Sequence, residues 1–115
     1  MARSNSRRDY RHFPAAYTQL LEQYEREGKS MRVSMPSLKA AKAAISDMNR
    51  FKMFLLAAVD NDKDDYALEL TNIFKNLSLR SHSEIDADSG EEHFYLLVDR
   101  NPLVAAIEAM QRDEV

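Results

Sequence analysis

The chain has 115 residues, 44% of them hydrophobic and 30% charged, and it contains no cysteine. These values predict one globular domain and exclude disulfide and thiol chemistry, and no apolar run approaches the roughly 20 residues that a membrane-spanning helix needs. Up to Ala58 there are eleven Lys and Arg against five Asp and Glu, whereas from Val59 onward there are five against fourteen. This polarity favours a basic N-terminal part that meets a polyanion or an acidic partner, and the lack of cysteine suits a reducing cytoplasm.

Residues 1–13 are predicted to form a flexible basic arm ahead of a single domain at residues 14–115, because Ser4, Asn5 and Ser6 supply no core side chain. Aromatic residues are interleaved with the basic ones in this arm, which favours nucleic-acid binding over a merely solvated terminus. The arginines concerned are Arg3, Arg7, Arg8 and Arg11.

A helix is predicted to begin at Pro14 and to end at Gly28, since Pro is favoured in a first turn and Gly after a last one. Its apolar positions follow helical spacing: Tyr17, Leu20, Leu21 and Tyr24. Residues 31–35 alternate between apolar and polar side chains and are followed by Pro36, which predicts a short half-buried strand.

Residues 37–59 give the clearest helical pattern, with one apolar stripe formed by Leu38, Ala41, Ile45, Met48, Leu55 and Val59. Lys39, Lys42 and Arg50 fall on the opposite side, and Phe54 lies beside Arg50. This basic face is either solvated or a site for phosphate contacts.

The acidic run at residues 60–65 resembles a calcium loop in composition. We reject an EF-hand, because Asp65 stands where its Gly is required and Thr71 where its final Glu is required. The run is instead expected to break the helix and cap the next one. That helix is predicted to end near Asn76 and to bury Tyr66, Leu70, Ile73 and Phe74.

Two alternating segments, 77–80 and 93–98, flank the turn-forming residues 86–90 and predict a hairpin with an acidic tip. Asn101 and Pro102 are expected to cap a last helix. Its inner stripe is predicted to be Leu103, Ala106, Ile107 and Met110. The fold class is therefore α+β, with a three-stranded, mainly antiparallel sheet covered by about four helices, and the order of the strands stays open.

Catalytic groups are sparse in this sequence. His82 and His93 are expected near each other across the hairpin, but no spacing of ligands predicts a metal site. The two glycines of the chain exclude a phosphate-cradling loop and a dinucleotide fingerprint. We therefore expect a non-enzymatic protein with no cofactor, no metal and no small-molecule substrate.

The segment at residues 31–42, MRVSMPSLKAAK, resembles the opening of the small non-structural proteins of gokushovirus-type single-stranded-DNA phages. In that family a short strand ends in a Pro-Ser or similar step and is followed by a helix that carries basic and aromatic residues. Here the comparable stretch holds Arg50, Phe51, Lys52 and Phe54, and residues 77–80 resemble the strand that follows. The resemblance implies a non-enzymatic, DNA-binding accessory of the phage genome cycle in the host cytoplasm.

The leading functional hypothesis is association with single- or double-stranded DNA through the arginines of the arm together with Lys39, Lys42, Arg50 and Phe54. The main alternative is a homo-oligomeric assembly protein whose basic N-terminal part meets the acidic C-terminal part of another copy. A third hypothesis is an acidic inhibitor of a nucleic-acid-binding partner. Its contact residues would be Glu84, Asp86, Asp88, Glu91 and Glu92.

Overall fold

Local signals in the sequence set the ends of most elements in the computed structural model, which describes residues 9–113. Within these residues the fold is α+β, and a short 3-10 turn at Tyr10–His12 precedes the first helix. The four α-helices are α1 (Ala15–Glu27), α2 (Leu38–Asp62), α3 (Asp65–Lys75) and α4 (Pro102–Asp113). The three strands are β1 (Met31–Met35), β2 (Leu77–Ile85) and β3 (Glu92–Arg100).

The helix caps follow the predicted chemistry. Gly28 ends α1 with a left-handed backbone at φ 68°, and its N–H donates to the carbonyl of Tyr24. The side chain of Ser37 accepts from the N–H of Ala40 at the start of α2. Asp64 caps α3 by accepting from the N–H of Ala67 at 3.0 Å, so the predicted acidic cap is confirmed.

The sheet is antiparallel throughout, with the strand order β1-β3-β2. The predicted hairpin is confirmed, since Ile85 pairs with Glu92 across its tip and Leu77 pairs with Arg100 at its base. Along the chain, β1 is followed by two helices, then β2 and then β3, yet β3 lies between the other two strands. This arrangement settles the strand order that the sequence had left open.

Helix α2 packs on one face of the sheet and supplies the centre of the core. Met48, Phe51 and Leu55 are each at most 1% exposed, and they share one cluster with Leu96 and Val98 of the central strand. Phe51 was absent from the predicted stripe, although its position follows Met48 by three residues and precedes Leu55 by four. Helices α1 and α3 complete the same cluster with Leu21, Tyr24, Ala67, Leu70 and Phe74.

The predicted flexible arm is wrong for residues 9–13. Tyr10 is 4% exposed and belongs to the core cluster, and Phe13 packs against that cluster. The Tyr10 ring meets the edge of Phe51 at a centroid distance of 6.3 Å. The folded unit therefore starts before residue 14, because two aromatic side chains of this segment find apolar partners on α2. Arg3, Arg7 and Arg8 lie outside the described residues.

Two further predictions need correction. Helix α2 continues through Asp62, where the sequence predicted a break at Asp60, and it ends at Lys63 with φ 54°. Tyr66 was predicted to be buried but is 40% exposed, and its hydroxyl donates to Glu22 of α1 at 2.6 Å. Among residues 9–113, no helix combines the length and apolar character that crossing a membrane requires.

Candidate functional site

The residues of the predicted basic site have different surroundings in the structure, since some are paired with carboxylates of the same chain and others are not. Arg11, on the 3-10 turn, binds Asp9 at 2.8 Å and Asp64 at 2.5 Å, and its guanidinium lies 4.6 Å from the centre of the Tyr10 ring. These contacts anchor the turn to the start of α3. The Arg11 guanidinium is therefore already paired with two carboxylates of the same chain. Arg11 stabilises the folded unit, whereas the sequence predicted that it lies in a flexible arm.

The basic residues of α2 also differ from one another in their contacts. Arg50 binds Asp47 at 3.2 Å and lies 5.8 Å from the centre of the Phe13 ring. Phe54 is half-buried and meets Phe13 edge-on at 5.2 Å, so its ring is part of the packing around the N-terminal segment. Lys39 and Lys42 are exposed one turn apart, and no carboxylate of the described residues forms an ion pair with either.

Part of the acidic hairpin is structural. Asp86 accepts from the N–H groups of Asp88 and Ser89, and these two bonds hold the pKa of its carboxyl below the usual range. Glu84 binds Arg32 of β1 at 3.0 Å. Three of the predicted partner-binding carboxylates are exposed at or beside the tip: Asp88, Glu91 and Glu92.

A feature missed by the sequence analysis lies on the face of the sheet opposite α2. Tyr95 stands at the middle of this open face, with the Arg32 guanidinium 4.5 Å from its ring centre and the His82 ring stacked at 6.5 Å. Alternation along each strand places Arg32, His82 and Tyr95 on the side away from the core, but only the strand order brings the three strands together around Tyr95. The surface is balanced in charge, because Arg32 is paired with Glu84 and Arg80 with Asp99 at 3.0 Å.

The groove beside this face holds one carboxylate among the described residues, that of Asp99. It has a volume of about 460 Å³ and is lined by Ser30, Ser78, Arg80, Asp99, Arg100 and Pro102. Hydrogen bonds from Ser30 and Arg80 lower the pKa of Asp99, which makes its carboxylate a weak base at neutral pH. In the part of the chain that the structure describes, no three His, Asp or Glu side chains converge as metal ligands.

The last helix departs most from its prediction. The stripe predicted to face the core points outward: Leu103 is 68% exposed, Ile107 46% and Met110 64%, with Ala106 also exposed between them. Among the described residues, none from α4 belongs to the core cluster. The half-buried residues of α4 include Val104, Ala105, Glu108 and Ala109, and Glu108 binds Arg100. The outward face of α4 is thus an apolar surface with no partner in the described chain.

We refer to Leu103, Ala106, Ile107 and Met110 together as the α4 stripe. Their spacing of three and four residues was readable from the sequence, but the direction in which they point was not. The chain matches no protein-family model, no curated protein and no solved structure.

Proposed function

We propose that this protein is a non-enzymatic assembly protein that associates with further copies of itself through the α4 stripe. The observation that carries the proposal is the exposure of three large apolar side chains in register on one helix that lies outside the core. Scattered apolar residues are normal on a protein surface, but an aligned stripe is typical of an interaction site.

The geometry of the stripe suits a second copy of the same helix. Positions 103, 106, 107 and 110 follow the spacing of a coiled-coil seam, and the small Ala106 leaves a hole between larger neighbours. A two-fold axis would allow one large side chain of each copy to lie against Ala106 of the other. This self-complementarity requires no partner chemistry beyond what α4 itself presents.

The expected affinity is modest. Burying the exposed parts of Leu103, Ile107 and Met110 contributes roughly 1–2 kcal/mol each, hence roughly 6–12 kcal/mol over two copies. Association itself costs an estimated 4–15 kcal/mol, so the α4 contact alone is expected to be weak. A helix of 12 residues is only about 18 Å long, which also limits the area that it can bury.

Analytical ultracentrifugation tests the proposal with a matched pair of variants. Ile107→Glu places a charge in the stripe and is expected to lower the weight-average mass at protein concentrations where the wild type associates through α4. Gln111→Glu adds the same charge at an exposed polar position at the border of the stripe and should lower the mass less than Ile107→Glu does. Equal masses for the wild type and Ile107→Glu would refute self-association through α4.

Salt separates this proposal from assembly through opposite charges. Contacts between the basic N-terminal and acidic C-terminal parts would weaken as NaCl rises from about 0.1 M to about 1 M, because the screening length falls from about 10 Å to about 3 Å. Association through the α4 stripe should persist or strengthen over the same range. An oligomer that dissociates at high salt and whose mass is unchanged by Ile107→Glu would therefore favour the charge-based alternative.

Nucleic-acid association is a second candidate, favoured by the exposure of Lys39 and Lys42 without carboxylate partners in the described chain. The resemblance to phage accessory proteins supports it, whereas the 13 Lys and Arg against 18 Asp and Glu in residues 9–113 weigh against it. Fluorescence anisotropy with labelled single-stranded and duplex DNA tests it. Binding should weaken with salt and in Lys39→Glu/Lys42→Glu, with Lys63→Glu, at the exposed residue that directly follows the same helix, as the control.

A further inference from the structure

The outer edge of β2 presents backbone groups that have no partner among the described residues. At the tip of the hairpin the N–H of Asp86 donates to Glu91 at 2.8 Å, and at its base the N–H of Asn101 donates to Asn76 at 2.9 Å. Both bonds belong to the same uninterrupted register as the pairs from Leu77 to Ile85. The backbone N–H and C=O groups of the even-numbered β2 residues therefore point toward β3. Those of the odd-numbered residues point outward, away from the sheet.

This edge lacks several of the features that usually prevent pairing between strands of different molecules. It is nine residues long, and it contains no proline, no lysine and no bulge. The β2 side chains on the face of the sheet that packs against α2 are all uncharged: Leu77, Leu79, Ser81, Ser83 and Ile85. The other edge of the sheet, β1, has only five residues and is followed by Pro36. The two edges thus differ, and β2 is the one open to a further strand.

We propose that β2 pairs antiparallel with β2 of a second copy about a two-fold axis at Ser81, which would join the two sheets into one of six strands. In such a pair, the residues whose backbone groups point outward must lie opposite one another. A two-fold axis at Ser81 gives the register in which all nine residues of β2 are paired. This interface is separate from the α4 stripe and does not depend on the function proposed above.

The side chains complement each other in this register. Ile85, which is 71% exposed, would lie opposite Leu77 of the second copy, so the interface covers an apolar side chain that the single chain leaves in water. On the other face, Arg80 would lie opposite His82 of the second copy and diagonal both to its Glu84 and to its Arg80, and each Arg80 is already paired with Asp99 of its own chain. No two carboxylates and no two arginines would stand directly opposite each other, which favours pairing.

Ser83→Pro tests the interface, because it removes an outward N–H while leaving the even-numbered hydrogen bonds to β3 in place. It is made in the Ile107→Glu background, where the α4 contact is already broken, and Ser83→Thr is the control that keeps the N–H. Ile107→Glu alone and with Ser83→Thr is expected to remain dimeric. Adding Ser83→Pro should weaken the dimer about tenfold or more, since the two-fold axis removes two hydrogen bonds at once.

Amide hydrogen exchange gives a second readout, which does not require the Ser83→Pro variant to fold. In the concentrated Ile107→Glu protein, the N–H groups of Leu79, Ser81 and Ser83 should exchange slowly, and dilution should make them fast while those of Arg80 and His82 stay protected. A dimer in which the odd-numbered amides still exchange fast would overturn the proposal, as would a monomer at all concentrations. An unchanged mass in Ile107→Glu relative to the wild type would instead refute the α4 proposal alone.

Discussion

Tyr10 links the N-terminal segment to the rest of the protein, and its replacement should be costly. Its ring is 4% exposed and packs edge-on against Phe51, and its hydroxyl donates to Asp64 at 2.9 Å. Burial and this hydrogen bond raise the pKa of Tyr10 to about 12, so the hydroxyl stays protonated and continues to donate at neutral pH. The same Asp64 carboxylate caps α3, so the contact joins the first described residues to a helix more than fifty positions later.

Two substitutions separate the ring from the hydroxyl. Tyr10→Phe removes only the hydrogen bond to a charged acceptor and should cost about 1–2 kcal/mol. Tyr10→Ala also removes the ring and leaves a cavity beside Phe51, so we expect a total near 3 kcal/mol, within the range for aromatic truncation. At roughly 4 °C per kcal/mol, Tyr10→Ala should lower Tm by about 12 °C.

Urea unfolding followed by circular dichroism at 222 nm measures both variants, since the chain has no tryptophan to report by fluorescence. His12→Ala is the matched control, because His12 lies on the same 3-10 turn but is exposed. It should change stability by less than about 0.5 kcal/mol. A loss below about 1 kcal/mol for Tyr10→Ala would refute the packing of the N-terminal segment and restore the flexible arm predicted from the sequence.

Two further predictions concern the junction between α2 and α3. The capping bond from Ala67, together with Tyr10 and Arg11, lowers the pKa of Asp64, so its contribution to stability is present above the unfolded pKa of about 3.9 and is lost as pH falls through the lower folded value. Asp64→Asn should therefore reduce the loss of stability between about pH 5 and pH 2 in urea titrations, and an unchanged pH profile would contradict this. Lys63→Gly should stabilise the fold by roughly 0.5–1 kcal/mol, because φ at this position is 54°. A lower urea midpoint in Lys63→Gly would mean that the lysine side chain outweighs its backbone strain.

The sequence by itself determined the elements whose signals are local. Gly28 permits the left-handed backbone that ends α1, Asp64 supplies the oxygen that starts α3, and the alternation of residues 31–35 before Pro36 defines β1. Each of these signals acts over a few residues through backbone sterics or one hydrogen bond, so it has the same effect in any fold. The hairpin and its acidic tip were predictable for the same reason.

Contacts between distant residues were decided only by the tertiary structure. Tyr10 was read as part of an arm because its neighbours are polar, yet Phe51 offers it an apolar surface some forty residues away. Tyr95 meets Arg32 and His82 only because β3 lies between the other two strands.

Helix α4 shows most clearly what could not be predicted from the sequence. Its spacing specifies that one side is apolar, and this was predicted correctly from Leu103, Ile107 and Met110. The direction of that side depends on whether a complementary surface is available within the same chain, and α2 already occupies the inner face of the sheet. Periodicity shows that a helix has an apolar face to bury but carries no information about which molecule will bury it.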